Sequence, residues 1–346
     1  MKREDGCLVS FCVKCFNQER YIGEALKGAF AQTYRPLEIV VSDDASTDRS
    51  WDVIEAAVAE YRRRPDAADV VLNRNASNLG NLGNWLAICA IAKGELLVKA
   101  DGDDVSMPER TERVVNAWMA DGCRATVVSH GGTFMDPRGR LMGAMRAPSA
   151  ESPVGAAMAF ARSTYESFGG ACDLRIVDDE LFAWRARMLG PELVLPDRLV
   201  MYRLGTGISN SLWGMRGPMV RCRRGYLTTL RQVRLDLERV GASMSAEERG
   251  RWSSRIDDAE SRINAELMLM DGKTFAVRIA GARKMGRKRL SVIWQYFRCA
   301  FLLPRPVGDA MLFSYAVVRY AARRIFGIIS RMAGCKARPG GRTWST

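Results

Sequence analysis

Short apolar runs alternate with amphipathic helical patterns along residues 7–130, and this alternation constrains the fold more than any other feature. Repeated strand–helix units predict an α/β fold in which a mainly parallel sheet is covered by helices on both faces. The predicted strands are Leu8–Val13, Leu37–Ser42, Val70–Leu72, Glu95–Lys99, Ala125–Ser129 and, later in the chain, Leu199–Arg203. The predicted helices are Arg20–Phe30, Asp48–Tyr61, Asn84–Ala92, Met107–Ala120 and Asp179–Leu189. In such sheets ligands bind at the carboxyl ends of the strands, so polar side chains there are the first candidates for a site.

Acidic side chains follow two of these strands directly. Asp43 and Asp44 follow the second strand, and the run Asp101–Asp104, which reads Asp-Gly-Asp-Asp, follows the fourth. Hard divalent cations need clustered oxygen ligands of this kind, and phosphate groups complete their coordination shell. The pattern therefore predicts a metal-assisted enzyme that acts on a phosphorylated, nucleotide-linked substrate. Simpler explanations stay open, since Asp48 could cap a helix after the first pair and the second run could be a solvated turn.

A third acidic run, Asp178–Glu180, stands at the start of a predicted helix. A helix N-cap and the favourable helix dipole would by themselves account for one acid, Asp178. Three acids in a row exceed what a cap requires, and a carboxylate that faces the crevice could act as the general base for an acceptor hydroxyl.

The charge of the chain is distributed unevenly. The formal net charge is +13, yet residues 1–210 carry 25 Lys and Arg against 29 Asp and Glu, whereas residues 211–346 carry 27 against 10. From residue 272 onward there are 16 basic residues and one acid, Asp309. We therefore expect a mildly acidic first part, residues 1–210, and a basic helical extension, residues 211–346, that has an anionic partner.

The basic extension combines charge with aromatic and apolar residues. The stretch Lys284–Leu290 is basic, and Trp294, Tyr296 and Phe297 follow it. Helices of this composition lie on anionic lipid, which predicts a peripheral membrane contact through residues 272–346. A soluble helical subdomain with a solvated basic face is the alternative. Nucleic-acid binding is disfavoured, because the sequence shows no recognised nucleic-acid module.

The nine cysteines form no disulfide pattern, and several lie in apolar runs, as buried free thiols do. The N-terminus has no signal-peptide core, and no uncharged apolar stretch reaches the length of about 18 residues that a membrane span needs. These features predict a protein of a reducing compartment, which is cytoplasmic and peripheral on the inner face of the cell membrane.

Taken in order, the motifs resemble those of one large family, the inverting glycosyltransferases of family 2, which have the GT-A fold. The resemblance covers residues 7–210 and rests on Val9–Asn17, Ala31–Tyr34, Leu37–Asp48, Asn78–Gly80 with Asn84, Lys93–Glu95, Asp101–Asp104, Pro108, Phe168–Gly170, Asp178–Asp179, Arg185 with Gly190, and Tyr202–Arg203 with Ser209. It implies a GT-A catalytic domain over residues 1–210, with a Rossmann-like, mainly parallel sheet, before the helical extension of residues 211–346.

The resemblance also implies a role for each matching residue. Asp179 would be the catalytic base with Asp178 beside it, and Asp103, together with Asp101, would bind Mg²⁺ or Mn²⁺. The nucleotide-sugar donor, usually a UDP-sugar, would be bound by Phe16, Asn17, Asp43, Asp44, Asn84, Asp101 and Arg203. The sugar would pass, with inversion at the anomeric carbon, to a hydroxyl of a glycan or polyprenyl-linked acceptor.

The chain departs from the family pattern at three positions. Lys14 stands where proline is common, Cys15 stands where a small hydroxyl residue is common, and Gly205 stands near a frequent histidine. No Gln-x-x-Arg-Trp motif follows the late strand, which predicts a non-processive enzyme. The alternative is a non-catalytic, basic binding protein, associated with a membrane or a nucleic acid, that keeps the GT-A scaffold.

Overall fold

The computed structural model describes residues 6–145, 154–171, 173, 176–206, 216–272 and 274–284. The strands in these ranges are β1 (Val9–Cys15), β2 (Leu37–Asp43), β3 (Asp69–Arg74), β4 (Leu96–Asp101), β5 (Val105–Ser106), β6 (Val127–Met135), β7 (Leu141–Met145), β8 (Met158–Ala161) and β9 (Glu192–Arg203). The helices are α1 (Ile22–Phe30), α2 (Ser50–Tyr61), α3 (Gly80–Ile91), α4 (Arg110–Ala120), α5 (Ser163–Glu166), α6 (Asp178–Leu189), α7 (Arg216–Val240), α8 (Ala246–Asp271) and α9 (Phe275–Lys284).

The nine strands form one mixed sheet in the order β3-β2-β1-β4-β8-β6-β9-β5, and β7 pairs with β6. Strands β1 to β4 are parallel to their neighbours within this group, as the repeated strand–helix units predict. Strand β8 is antiparallel to both β4 and β6, so the second half of the sheet is not parallel throughout. Strand β8 comes from residues 131–175, a region rich in small residues in which the sequence shows no strand pattern.

Strand β9 begins earlier than the sequence predicts. It starts at Glu192 rather than at Leu199, and its register against β6 shifts between Leu195 and Arg198. The shift leaves Pro196 outside the regular ladder, where its missing N–H does no harm. Because proline disfavours a strand, the sequence pattern does not indicate the first half of β9. The predicted end of the strand at Arg203 is confirmed.

Two apolar clusters pack against the two faces of the sheet. Along β1, Phe11 and Val13 belong to one cluster and Cys12 to the other, as the alternation of side chains in a strand requires. Helices α1, α2 and α4 cover the first cluster, and helices α3, α6, α7 and α8 cover the second. The predicted cover of helices on both faces is confirmed.

The first helices of the predicted extension pack against the residues that precede it. Leu230 and Val233 of α7 and Ile256 of α8 lie in the same apolar cluster as Leu181 and Phe182 of α6. In this part of the chain the extension therefore completes one face of the sheet. The predicted division at residue 210 stays a prediction.

A buried ion pair joins α6 to α7. Arg185 Nε lies 2.7 Å from Asp236 Oδ2, and Arg185 Nη2 lies 3.0 Å from Asp236 Oδ1. The same guanidinium donates to the carbonyl oxygens of Gly169 and Gly170 at 3.0 and 2.8 Å. Buried charges are tolerated when a partner and hydrogen bonds satisfy them in this way, so the two helices depend on each other.

Among the helices of the described ranges, none is both long and apolar enough to cross a membrane. Most of residues 272–346 lie outside those ranges, including Trp294, Tyr296 and Phe297. The predicted membrane contact therefore stays a prediction.

Candidate active site

Five charged side chains meet where β1, β4 and the start of α6 come together. Lys14 lies on β1, Lys99 and Asp101 lie on β4, and Asp178 and Asp179 begin α6. In the parallel register of β1 and β4, Lys14 is opposite Asp101, and their charged groups are 3.2 Å apart. The fold thus brings two of the predicted acidic runs together, although they are far apart in the sequence.

Asp178 is the fully buried centre of this cluster. Its Oδ2 lies 2.8 Å from Lys14 Nζ and 2.9 Å from Lys99 Nζ, and its Oδ1 accepts a hydrogen bond of 2.6 Å from Asn81 Nδ2. Burial favours the neutral acid, but the two ammonium groups outweigh it and lower the pKa of Asp178. This carboxylate therefore stays ionised and anchors both lysines.

Asp179 is placed differently from its neighbour. Its side chain is 24% exposed, and its Oδ1 forms an ion pair with Lys99 Nζ. Its Oδ2 accepts a hydrogen bond of 2.9 Å from Gly155 N. Burial and, after it, the charge of Asp178 raise the pKa of Asp179. A partly exposed carboxylate with a raised pKa is suited to accept a proton, as a general base must.

Arg203, a predicted donor contact, holds the acidic loop that follows β4. Its backbone N donates to Asp104 Oδ1 at 2.7 Å, and its Nε donates to Asp103 O at 2.8 Å. The guanidinium also pairs with Glu24 at 2.7 Å and lies over the ring of Tyr21. These contacts give Arg203 a structural role, and its contact with a donor stays a prediction.

The acidic loop has the chemistry of a cation site. Burial and the nearby Asp101 carboxylate raise the pKa of Asp103, because negative charges crowd the end of β4. A divalent cation would relieve that repulsion, so Asp103 fits the predicted metal ligand. Asp101 faces Lys14 and is the poorer ligand of the two. Within the described ranges, no group of three or more His, Cys, Asp or Glu side chains is arranged to hold a metal ion.

Both acids after β2 accept hydrogen bonds from the protein itself. Asp43 accepts one of 3.0 Å from the backbone N–H three residues later, which closes the loop after the strand. Asp44 accepts from Leu79 N and Gly80 N, each at 2.9 Å, and so caps the N-terminus of α3. This cap explains why α3 begins at Gly80 and not at the predicted Asn84. Contacts of either acid with a nucleotide stay predictions.

The other predicted donor contacts lie nearby. Phe16 follows β1 and is 44% exposed, so a base has access to its ring. Asn17 has a φ of 51°, a left-handed conformation that asparagine tolerates, and its Oδ1 accepts from Thr47 N at 2.8 Å. Asn84 is buried and donates to Ser42 O at 3.3 Å, so it joins α3 to β2. Phe16 and Asn17 are the better placed of the three for a ligand.

Four residues of the site are missing from the predicted site residues, namely Lys14, Lys99, Asn81 and Gly155, and Lys14 stands out in the sequence only as a departure from the family pattern. Lys99 carries a visible signal, since it is the one charge in the apolar run that leads to Asp101. Asn81 and Gly155 carry none, because only the fold brings them to Asp178 and Asp179.

Comparison with known proteins identifies the family. Residues 10–179, which end on the proposed base, match the family model of glycosyl transferase family 2. The chain carries a family 2 glycosyltransferase domain. The chain is 34% identical over 110 residues to an uncharacterized glycosyltransferase of Nostoc sp., and this match covers 32% of each of the two chains. It is 30% identical over 148 residues to the putative glycosyltransferase EpsE of Bacillus subtilis, which covers 43% of this chain and 51% of EpsE.

A third relative has a more specific name. The chain is 31% identical over 97 residues to the UDP-Glc:alpha-D-GlcNAc-diphosphoundecaprenol beta-1,3-glucosyltransferase WfaP of Escherichia coli, covering 28% of this chain and 36% of WfaP. The matches thus span between about a third and a half of the length of these three curated relatives.

Two solved structures are similar in fold. The mannosyltransferase PcManGT from Pyrobaculum calidifontis, in complex with GDP-Man and Mn²⁺, has a TM-score of 0.56 at 18% identity, covering 93% of this chain and 88% of that one. S. aureus TarS 1–349 has a TM-score of 0.52 at 17% identity, covering 95% and 93%. The predicted fold class is confirmed: a GT-A α/β sheet with flanking helices, followed by helices at its C-terminal side.

Proposed function

We propose that this family 2 protein transfers a sugar from a nucleoside-diphosphate donor, a UDP-sugar, to a hydroxyl of a glycan or lipid-linked acceptor, with inversion. One observation carries the proposal. The partly exposed Asp179 is held by Lys99 and Gly155 in the same cluster as Asp101, on the edge of the sheet where Asp103 follows β4. A base, a donor contact and a metal ligand would then lie around one crevice.

The donor would bind across the ends of β1, β2 and β4. Phe16 and Asn17 would contact the nucleoside, with Asp43 and Asp44 behind them at the end of β2 and Asn84 on α3. Asp103, with Asp101 beside it, would hold Mg²⁺ or Mn²⁺, whose charge stabilises the departing diphosphate. The contacts of Arg203 with the acidic loop support its predicted place in this half of the site.

In the reaction, Asp179 would take the proton of the acceptor hydroxyl as its oxygen bonds to the anomeric carbon. The bond from that carbon to the diphosphate oxygen would break on the opposite face, so one displacement would invert the configuration. The raised pKa of Asp179 suits it to receive the proton. Asp178, whose pKa is lowered, would remain an anion and position the lysines.

For the acceptor, we propose a glycan or polyprenyl-linked hydroxyl at the inner face of the cell membrane. WfaP is named as acting on a diphosphoundecaprenol-linked sugar, which supports an acceptor of this class. The 16 basic residues and one acid from residue 272 onward support a contact with anionic lipid.

A donor panel tests the proposal. UDP-Glc, UDP-Gal, UDP-GlcNAc and GDP-Man are incubated with the protein and Mn²⁺, and released nucleoside diphosphate is measured, while calorimetry measures UDP binding with and without Mn²⁺. We expect turnover of one donor, loss of it with EDTA and recovery with Mn²⁺. Absence of metal-dependent UDP binding and of all turnover would contradict the enzyme and favour a non-catalytic binding protein.

The base is tested by Asp179→Asn. This change should abolish transfer while UDP binding persists, because it removes a proton acceptor and leaves the donor contacts in place. Asp52→Asn is the matched control, since Asp52 is an exposed acid on α2, and it should leave turnover unchanged. Retained turnover in Asp179→Asn would remove Asp179 from the mechanism.

A further inference from the structure

Lys99 is a buried cation in an apolar strand. Its side chain is 1% exposed, and it follows Leu96, Leu97 and Val98 on β4. A buried ammonium group is strongly unfavourable unless anions compensate it. The compensation comes from α6, since Nζ lies 2.9 Å from Asp178 Oδ2 and forms an ion pair with Asp179 Oδ1.

Lys14 extends the contacts toward the donor side. Its Nζ donates to Asp178 Oδ2 at 2.8 Å and to Asn81 Oδ1 at 2.6 Å, and it lies 3.2 Å from Asp101 Oδ1. The charges therefore alternate in space as Asp101, Lys14, Asp178, Lys99 and Asp179. Asp178 is buried between the two ammonium groups, whereas both ends of the row, Asp101 and Asp179, are partly exposed.

The backbone at Gly155 closes the other side of Asp179. Gly155 N donates to Asp179 Oδ2 at 2.9 Å. A Cβ at this position would lie 2.0 Å from both Asp179 Oδ1 and Lys99 Nζ, so the backbone approaches the pair as closely as only glycine allows. The two carboxylate oxygens of Asp179 thus have different partners: Oδ1 pairs with the Lys99 side chain, and Oδ2 accepts a hydrogen bond from the Gly155 backbone.

We propose that Lys99 is a positioning residue, which ties Asp179 to Asp178 and, with Gly155 N–H, fixes the direction in which Asp179 faces the acceptor hydroxyl. The proposal rests on the proposed function only in naming Asp179 as the base. Asp101 lies 3.2 Å from Lys14 and 4.0 Å from Lys99, so the donor side is held mainly by Lys14 and should stay in place when Lys99 is replaced.

The kinetic test uses Lys99→Met and Lys99→Arg on the donor that the panel identifies. Lys99→Met should lower kcat by about 10²-fold, the effect of a misplacement of about 1 Å, with the donor KM unchanged. Lys99→Arg restores a cation for both acids and should recover most of kcat. A general loss of structure would instead move KM and kcat together and would not be rescued. Wild-type kcat in Lys99→Met would overturn the proposal.

A second variant keeps the test valid if Lys99→Met fails to fold. The double variant Asp178→Asn with Lys99→Met removes one charge of each sign and leaves no added net charge in the interior. It should show the same low kcat at an unchanged donor KM. A double variant with wild-type kcat would overturn the positioning role.

A structural measurement makes the test independent of the substrate. In a crystal structure of Lys99→Met we expect the Asp179 carboxylate to leave Gly155 N–H, whereas it should stay in Lys99→Arg. An unmoved carboxylate in Lys99→Met would overturn the positioning role. If Asp179→Asn keeps its turnover, the base assignment fails. If Asp179→Asn is inactive and Lys99→Met is fully active, only the role of Lys99 fails.

Discussion

Gly155→Ala should displace the carboxylate of the proposed base, Asp179, without removing it. The added methyl group would lie 2.0 Å from both Asp179 Oδ1 and Lys99 Nζ, well inside any real contact. Both neighbours are side-chain ends, so they can move aside without disrupting the sheet. They must move by more than about 1 Å, and a shift of that size costs about 10²-fold in rate, or about 3 kcal/mol of transition-state stabilisation.

The assay is steady-state release of nucleoside diphosphate from the best donor, together with calorimetry of UDP and Mn²⁺. We expect kcat to fall by about 10²-fold and UDP affinity to stay unchanged, because the change lies at the base. Gly250→Ala is the matched control, since its Cβ would meet nothing within 4 Å. It lies in α8 and should stabilise the protein by about 0.5–1 kcal/mol without changing the rate. Wild-type kcat in Gly155→Ala would refute the reasoning.

Two further predictions concern stability. Burial raises the pKa of Glu180 to about 8, so the folded state loses stability as pH rises from about 4.3 to 8 and the buried acid ionises. Glu180→Gln should remove this loss, with a gain at pH 8 of at most about 5 kcal/mol in urea unfolding, and equal pH dependence in both proteins would contradict it. Asp236→Asn leaves Arg185 buried without its anion and should cost about 3–5 kcal/mol. The same change at Asp271, in an exposed pair with Arg224, should cost less than about 1 kcal/mol, and similar costs at both sites would contradict the role of burial.

The parallel half of the sheet could be predicted because its central strands are buried and rich in apolar residues. Strands β1, β2 and β4 are mainly apolar, with polar exceptions such as Ser10, Glu38 and Lys99, and helical patterns alternate with them along the chain. Strand β8 (Met158–Ala161) had no such signal, since it is short and its neighbours Ala156 and Ala157 are small. Its antiparallel pairing depends on contacts with β4 and β6 that no local pattern encodes.

The carboxylates of the candidate site could be predicted from the sequence, but the different surroundings of Asp178 and Asp179 could not. Asp178 and Asp179 are identical in sequence terms, yet one is buried between two ammonium groups and the other reaches the surface. Lys14 attracted notice only as a departure from proline, and its purpose appears once Asp101 and Asp178 are beside it. Such roles depend on partners from three separate parts of the chain.

The sequence predicts that the extension, residues 211–346, is helical, but it does not predict that α7 and α8 are partly buried. A charged amphipathic pattern indicates a helix and leaves open whether its apolar face meets lipid, solvent or the preceding domain. Asp236 decides this for α7, because it is buried against Arg185. Helix α7 has two acids among its arginines, Asp236 and Glu238, and the sequence pattern does not show which of them is buried.

The ion pair between Arg185 and Asp236 sets an order of events on the ribosome. Most residues of the first apolar cluster come from strands β1 to β4 and helices α1 and α2, so this half of the sheet can fold early in synthesis. Helix α6 packs stably only after Asp236 has been synthesised, since the Arg185 guanidinium would otherwise be buried without its anion. Asp178 and Asp179 begin that helix, so the nascent chain acquires its proposed catalytic carboxylates late, after the helix that carries the partner of Arg185 has been made.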